Sequence, residues 1–304
     1  MSSPPGAHDP AQPERGTPGA AGGGQAPQLQ ACYRHPDRGT YIRCARCGKP
    51  ICPDCMVQAP VGFQCPECVA RGKVATAPRT TFGGHIEERP RATLGLIAVN
   101  VVMFGLTVLT KGGFLSGAGS SSLVRDFGVQ PAAIADGEWW RLLTAMFLHG
   151  GVMHLFLNMF ALYILGSELE RLLGWWRFLG VYLVAGLAGA VASYWMLPVG
   201  GLSVGASGAI FGIVGAFFVA YRRMNYQARQ IALLAFVLLL PGFVFSNIDM
   251  AAHVGGLVGG AAAMVPMAYA PVGPRRTLYQ AAGLALVALL VAGLAMARTA
   301  ALTP

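Results

Sequence analysis

Along most of this 304-residue chain, long uncharged apolar stretches alternate with short segments that carry the charges. No Asp, Glu, Lys or Arg occurs from Phe178 to Tyr221, from Gln230 to Asn247, from Met250 to Pro274 or from Thr277 to Ala297. An uncharged apolar run of about 18 residues or more predicts a membrane-spanning helix. A buried helix of a soluble protein accounts for one such run, but not for several in succession. The pattern predicts seven spans, at residues 92–110, 146–167, 178–197, 206–221, 230–247, 251–270 and 279–297. The fold class is therefore an all-α polytopic membrane protein.

The remaining segments have different characters. Residues 1–28 are rich in Pro, Gly, Ala and Gln without apolar periodicity, and read as a disordered tail. Residues 29–72 form a Cys-rich module, and residues 73–91 a polar, Arg-containing linker. Between the first two spans lies a long loop, 111–145, with Trp139, Trp140 and Arg141 near its end. Amphipathic rings followed by a cation suit the membrane–water interface. The N-terminus lacks a basic region followed directly by an apolar stretch, so no secretory signal is expected.

The basic loops set the orientation. Arg171 and Arg177 fall between spans two and three, Arg222, Arg223 and Arg229 between four and five, and Arg275 and Arg276 between six and seven. Short loops rich in Arg stay in the cytoplasm. Arg89 and Arg91 place the N-terminal module on that side too, and the C-terminus outside. The chain is thus expected to be a multi-pass protein of the cell membrane.

Composition adds little to this picture. Hydrophobic residues make up 54% and charged residues 12%, against about a quarter charged in soluble domains. A net charge of +9 can signal nucleic acid, but here the Arg residues sit in loops between apolar runs, which excludes that reading. The bias toward Arg, Ala and Gly points to a GC-rich bacterial genome.

All seven Cys lie between residues 32 and 68, outside every span. They fall in pairs with two intervening residues: Cys32 and His35, Cys44 and Cys47, Cys52 and Cys55, Cys65 and Cys68. Zinc takes four soft or borderline ligands in a tetrahedron, so eight ligands fill two closed, structural sites. A segment this short has almost no apolar core, and metal binding supplies most of its folding free energy. Disulfides need an oxidising compartment, whereas the topology puts this module in the cytoplasm. The ligand series resembles B-box-type zinc fingers. Spacing alone leaves the pairing open. The resemblance implies alternation: Cys32 and His35 with Cys52 and Cys55, Cys44 and Cys47 with Cys65 and Cys68. It also implies a cytoplasmic protein partner for the module.

Polar side chains at membrane depth are costly, which makes each a functional candidate. His149, His154, Asn158, Ser207 and His253 stand out. A lone intramembrane His or Asn commonly makes only a helix–helix hydrogen bond. Position favours more here. Spans two, four and six all run inward, and His154, Ser207 and His253 lie near their outer starts. His154 and Asn158 share one helix face. Gly208, Gly212 and Gly215 follow Ser207, and Gly256 and Gly260 follow His253, so the two spans can approach closely. Ser207 with His253 then makes a base-activated nucleophile. The Ser207 backbone N–H, His154 and Asn158 are candidate donors to an oxyanion. Asp249 stands one turn before His253, and is assigned to the outer loop. The pair reads as a dyad rather than a triad.

These residues resemble the rhomboid family of intramembrane serine proteases. The matching motifs are Trp140-Arg141, His149 with His154 and Asn158, Gly205-Ala206-Ser207-Gly208, and Ala252-His253-Val254-Gly255-Gly256. The resemblance covers residues 92–270. It implies a six-helix core, to which 271–304 adds a seventh helix and tail. It also implies Ser207 as nucleophile, His253 as base, an oxyanion site at His154 and Asn158, and His149 in support. Phe211 stands where an aromatic residue, often Tyr, packs on the catalytic His. The loop around 243–250 matches the family's mobile cap. Transmembrane proteins entering from the lipid bilayer are the implied substrates, and the hydrolysis needs no cofactor. Two other functions compete. A non-proteolytic adaptor would tolerate loss of Ser207 and His253. A transporter would line a path across the bilayer with paired charges, whereas here the polar residues cluster at one depth and no buried charge is expected.

Overall fold

The computed structural model describes residues 28–75, 79–85, 89–110, 121–244 and 248–303. The tail at 1–27, part of the first loop and the centre of the expected cap loop lie outside the described residues. The chain divides into two compact units, Met1–Ala77 and Pro78–Pro304.

In the first unit, β1 (Gln30–Ala31) pairs antiparallel with β2 (Gly39–Thr40), and β3 (Val57–Gln58) with β4 (Phe63–Gln64). A helix, α1 (Pro66–Ala75), follows. The buried cluster consists of Ile51 and cysteine side chains, so apolar packing contributes little.

The second unit is helical. Its long elements are α2 (Arg91–Leu109), α6 (Val152–Ala161), α7 (Ser167–Leu173), α8 (Trp175–Met196), α9 (Ser207–Arg223), α10 (Ala228–Val244), α11 (Met250–Tyr269) and α12 (Arg276–Leu302). A π-helical turn at Leu162–Gly166 joins α6 to α7. Three short helices, α3 (Ser122–Phe127), α4 (Pro131–Ala135) and α5 (Arg141–Thr144), occupy the first loop, where no apolar periodicity predicts an element. Among the described residues, five helices are long and apolar enough to cross a membrane: α2, Val152–Leu173, α8, α11 and α12. The other two expected spans fall on α9 and α10, of 17 residues each. The chain is a multi-pass, all-α membrane protein.

Span two needs correction. It begins at Val152 instead of 146 and runs on to Leu173. Residues 145–151 form a 3-10 turn and a bend, because Gly150 and Gly151 interrupt the helical run. His149 therefore precedes the helix.

The core is built by α8, α9 and α11. Small residues let their backbones nearly touch. A Cβ added at Gly256 would meet the Gly208 carbonyl oxygen at 1.9 Å, and one at Gly260 would meet the Gly212 oxygen at 2.0 Å. These matched pairs show α9 and α11 running parallel. Gly189 of α8 packs on Gly208 and Ala185 on Gly212, so α8 runs antiparallel to both. The seventh helix lies along α8, with Tyr194 bonded to Thr299 and Trp195 to the Leu294 carbonyl.

Two expectations fail at the end of the bundle remote from Ser207. Charge is buried there: Glu170 is fully enclosed and Arg177 nearly so. Glu170 accepts the backbone N–H groups of Ala92 and Thr93 and the Thr93 hydroxyl, capping α2. Arg177 donates to Gln280 at 2.7 Å. Both are satisfied locally, which is how a charge is tolerated inside, and they line no path across the bundle. The linker also proves to be more than polar. Phe82 is 1% exposed within the helical core. Gln280 of α12 holds it by donating to the Phe82 and Met267 carbonyls.

Candidate active site

Ser207 opens α9, and as its first residue has a backbone N–H with no carbonyl one turn back to receive it. Gly205 makes this entry possible. Its φ of +135° is one that L side chains avoid, and a Cβ there would lie 2.9 Å from His154 Nε2 and 3.7 Å from Ser207 Oγ. Gly205 therefore occupies the narrow space between the serine and His154.

Across the glycine seam, His253 Nε2 lies 3.0 Å from Ser207 Oγ. The Phe211 ring stacks on His253 with centroids 4.2 Å apart and planes at 22°. Aromatic stacking fixes the tilt of the imidazole. His253 Nδ1 is buried without a hydrogen-bond partner among the described residues. Asp249 is not a third member beside it. It ends the outer loop and caps α11 from there, accepting the Ala252 N–H at 3.0 Å, and also accepts the Ser193 hydroxyl.

On α6, His154 Nδ1 accepts the Gly150 N–H at 3.3 Å. A neutral ring bonded in this way carries its proton on Nε2, the nitrogen beside Gly205. Asn158 is buried and donates to the His154 carbonyl at 2.9 Å, leaving one amide N–H for another acceptor. His149 is fully buried, edge-on to His154 at 5.1 Å, with neither ring nitrogen bonded among the described residues. Ser207, His253, His154 and Gly205 are thus brought together, and Phe211, Gly208, Asn158 and His149 surround them.

Trp140 and Arg141 do not reach this cluster. Trp140 is half exposed. Arg141 is buried, bonded to Glu138 and to the carbonyls of Arg125 and Gly128. Its connection to the serine runs through backbone. Val129, next to Gly128, exchanges two hydrogen bonds with Ser203, and the Gly205 N–H donates to the Ala145 carbonyl. The first loop is thereby fastened to the segment that delivers Ser207. This pairing joins extended residues 74 positions apart, with no local periodicity to announce it.

Residues 136–270 match the rhomboid domain. The chain is 40% identical over 177 residues to rhomboid protease GluP of Bacillus subtilis, covering 57% of this chain and 34% of that protein. It is 44% identical over 133 residues to putative rhomboid protease YdcA of the same species, covering 42% of this chain and 66% of that one. RHOMBOID-like protein 6, mitochondrial, of Arabidopsis thaliana is 35% identical over 187 residues, 58% of this chain and 60% of that protein. The chain thus spans about a third of the length of the first relative and about two thirds of the second. Relatives from a bacterium and a plant both match, so likeness does not by itself assign a bacterial source. The rhomboid domain contains Ser207, His253, His154 and Asn158, and stops before the seventh helix.

In the first unit, two sets of metal-ligating side chains converge: Cys32, His35, Cys52 and Cys55, and Cys44, Cys47, Cys65 and Cys68. The ligand atoms of each set lie within 4.8 Å of one another. These are the alternating sets that the finger resemblance implies. Their chemistry fits a soft divalent cation. Burial pushes the Cys32 and Cys44 thiols up, but backbone N–H donors outweigh it and hold both at about 6. Burial, reinforced by neighbouring cysteines, drives Cys55 up to about 11 and Cys68 to about 12. Each set thus pairs a ready thiolate with a thiol that needs a nearby cation before it ionises.

Proposed function

We propose that this chain is an intramembrane serine endopeptidase that hydrolyses peptide bonds in or near transmembrane segments of other membrane proteins. The observation that carries the reading is the 3.0 Å contact between Ser207 Oγ and His253 Nε2 at one end of the helical bundle. In this mechanism His253 Nε2 takes the hydroxyl proton as Ser207 Oγ attacks the scissile carbonyl. The resulting oxyanion is met by the Ser207 backbone N–H, by His154 Nε2–H and by the spare amide N–H of Asn158. The imidazolium then gives its proton to the leaving amine. Water, deprotonated by the same nitrogen, releases the acyl group. Among the described residues His253 Nδ1 has no carboxylate partner, so stacking on Phe211 replaces the orientation that a triad acid provides.

The reading places Ser207 toward the outer face and the Arg-rich end in the cytoplasm. Arg91, Arg177, Arg222, Arg223 and Arg276 all fall on the end remote from Ser207, which supports it. In the N-terminal module, the two ligand sets would each hold one zinc ion. Four protein ligands close each site, so the metal is structural. Such a module offers a folded cytoplasmic surface to a protein partner, and takes no part in hydrolysis.

The test is cleavage of a single-span model substrate by the full chain in lipid vesicles. Wild type is expected to cleave it, and Ser207→Ala and His253→Ala to lose cleavage. Equal cleavage by all three would refute the mechanism, and tolerance of both substitutions in a cellular assay would favour the adaptor reading.

A further inference from the structure

We propose that Asp249 is a positioning residue for the reaction, holding the first turn of α11 against α8 so that His253 stays on Ser207. The inference rests on the hydrolase reading above. Its starting point is the smoothness of the seam. In the two turns that follow His253, the face that α11 turns to α8 and α9 carries Gly255, Gly256, Gly259 and Gly260, and the larger buried side chains, Met264 and Met267, come only further along. A Cβ at Gly255 would meet Ala192 Cβ at 2.3 Å, and one at Gly259 would meet Ala188 Cβ at 2.3 Å. Glycine surfaces let helices approach, but they present no side-chain knobs to lock sliding or rotation. The Ser207–His253 hydrogen bond tolerates little of either. At this end of the seam, one turn from His253, a directed hydrogen bond adds what glycine packing does not supply.

Asp249 supplies that constraint at the right place. It lies one helical turn before His253. One carboxylate oxygen accepts the Ala252 N–H at 3.0 Å, which fixes where α11 starts. The other accepts the hydroxyl of Ser193, a residue of α8 that is 1% exposed. Ser193 Oγ also lies 3.2 Å from the Gly189 carbonyl, and a Cβ on Gly189 would lie 2.7 Å from the Ala252 carbonyl oxygen. The tie therefore lands on the turn of α8 that already touches α11. No Lys or Arg pairs with Asp249 among the described residues. Its role there is to accept two hydrogen bonds.

That role can be separated from charge. Asn caps a helix as well as Asp does. In Asp249→Asn the amide oxygen keeps the Ala252 N–H, and the amide nitrogen can donate to Ser193, whose hydroxyl turns to Gly189. The experiment measures kcat and KM of the full chain in vesicles, together with the rate at which a serine-directed fluorophosphonate labels Ser207. Asp249→Ala is expected to lower kcat about 10- to 100-fold, as small misplacements of catalytic groups do. Labelling should slow in proportion, with KM changed less than about two-fold. Asp249→Asn should restore kcat to within about three-fold of wild type, and Ser193→Ala should fall between. Wild-type kcat in Asp249→Ala or Ser193→Ala would overturn the inference, and so would an equal loss in Asp249→Asn and Asp249→Ala. If Asp249→Ala does not fold, Ser193→Ala decides alone, since it removes only one hydroxyl. A wild-type chain that neither cleaves nor labels would instead sink the hydrolase reading, and this inference with it.

Discussion

Gly256→Ala isolates the close approach on which the proposed dyad depends. The new Cβ would meet the Gly208 carbonyl oxygen at 1.9 Å, about 1.5 Å inside the 3.4 Å of ordinary contact. The atom it meets is backbone, so no rotamer change relieves the clash. Nor can α9 retreat, because Gly212 already lies against Ala185 of α8, where a Cβ would come within 2.2 Å of the alanine methyl. The helices must separate by on the order of 1 Å where His253 faces Ser207. Their contact of 3.0 Å then stretches past hydrogen-bonding range. A misplacement of about 1 Å costs up to about 100-fold in kcat, or about 2.7 kcal/mol of transition-state stabilisation. The assay is the initial rate of substrate cleavage in vesicles, with helical content followed by circular dichroism. Gly105→Ala and Gly293→Ala are the controls, since a Cβ at either position meets nothing within 4 Å. Both should cleave like wild type. A helical, monodisperse Gly256→Ala protein that cleaves within about two-fold of wild type would refute the reasoning.

Three other substitutions or treatments probe different parts of the chain. Glu170→Ala strands the N–H groups of Ala92 and Thr93 and the Thr93 hydroxyl, each worth about 1–3 kcal/mol when buried and unsatisfied; its thermal unfolding midpoint should drop well below that of Glu170→Gln, and equal midpoints would show that water replaces the carboxylate. Phe82→Ala empties a site 1% exposed and should cost about 3 kcal/mol or more, read as accelerated proteolysis near residues 79–85; unchanged proteolysis would mean that the Gln280 hydrogen bonds alone retain the strap. Metal analysis of the full chain should find two zinc ions, one per ligand set, that a strong chelator removes. The Cys32 and Cys44 thiols, held at about 6 against an ordinary 9, favour the thiolate, so their contribution to folding is full above pH 9 and is lost as pH falls through 6. Zinc release should therefore steepen below pH 6; release that does not depend on pH there would argue against thiolate ligation.

Much of the architecture was legible because its causes are local. An apolar run declares a membrane helix whatever it later packs against. One Cys–His pair and three Cys–Cys pairs with two-residue spacing declare a metal module before the pairing between them is known. Gly256 and Gly260 after His253, and Gly208 and Gly212 after Ser207, announced a close helix approach, because small residues at one-turn spacing leave a groove on any helix. The start of span two is not legible in the pattern, since Met146, Phe147 and Leu148 continue the apolar run through a bend that Gly150 and Gly151 impose.

The tertiary structure alone decided how buried polar groups are satisfied. Asp249 finds Ser193 across 56 residues, Glu170 finds Thr93 across 77, Arg177 finds Gln280 across 103, and Gln280 finds Phe82 across 198. A buried donor or acceptor must be paired, but the sequence states only the need and not the partner. The partner depends on which helices lie side by side and in what register. The same holds for Arg141, which reads as an interfacial cation and instead secures the loop that delivers Ser207. The chemistry that the chain carries could thus be read residue by residue, whereas the 3.0 Å that joins Ser207 to His253 exists only where α8, α9 and α11 meet.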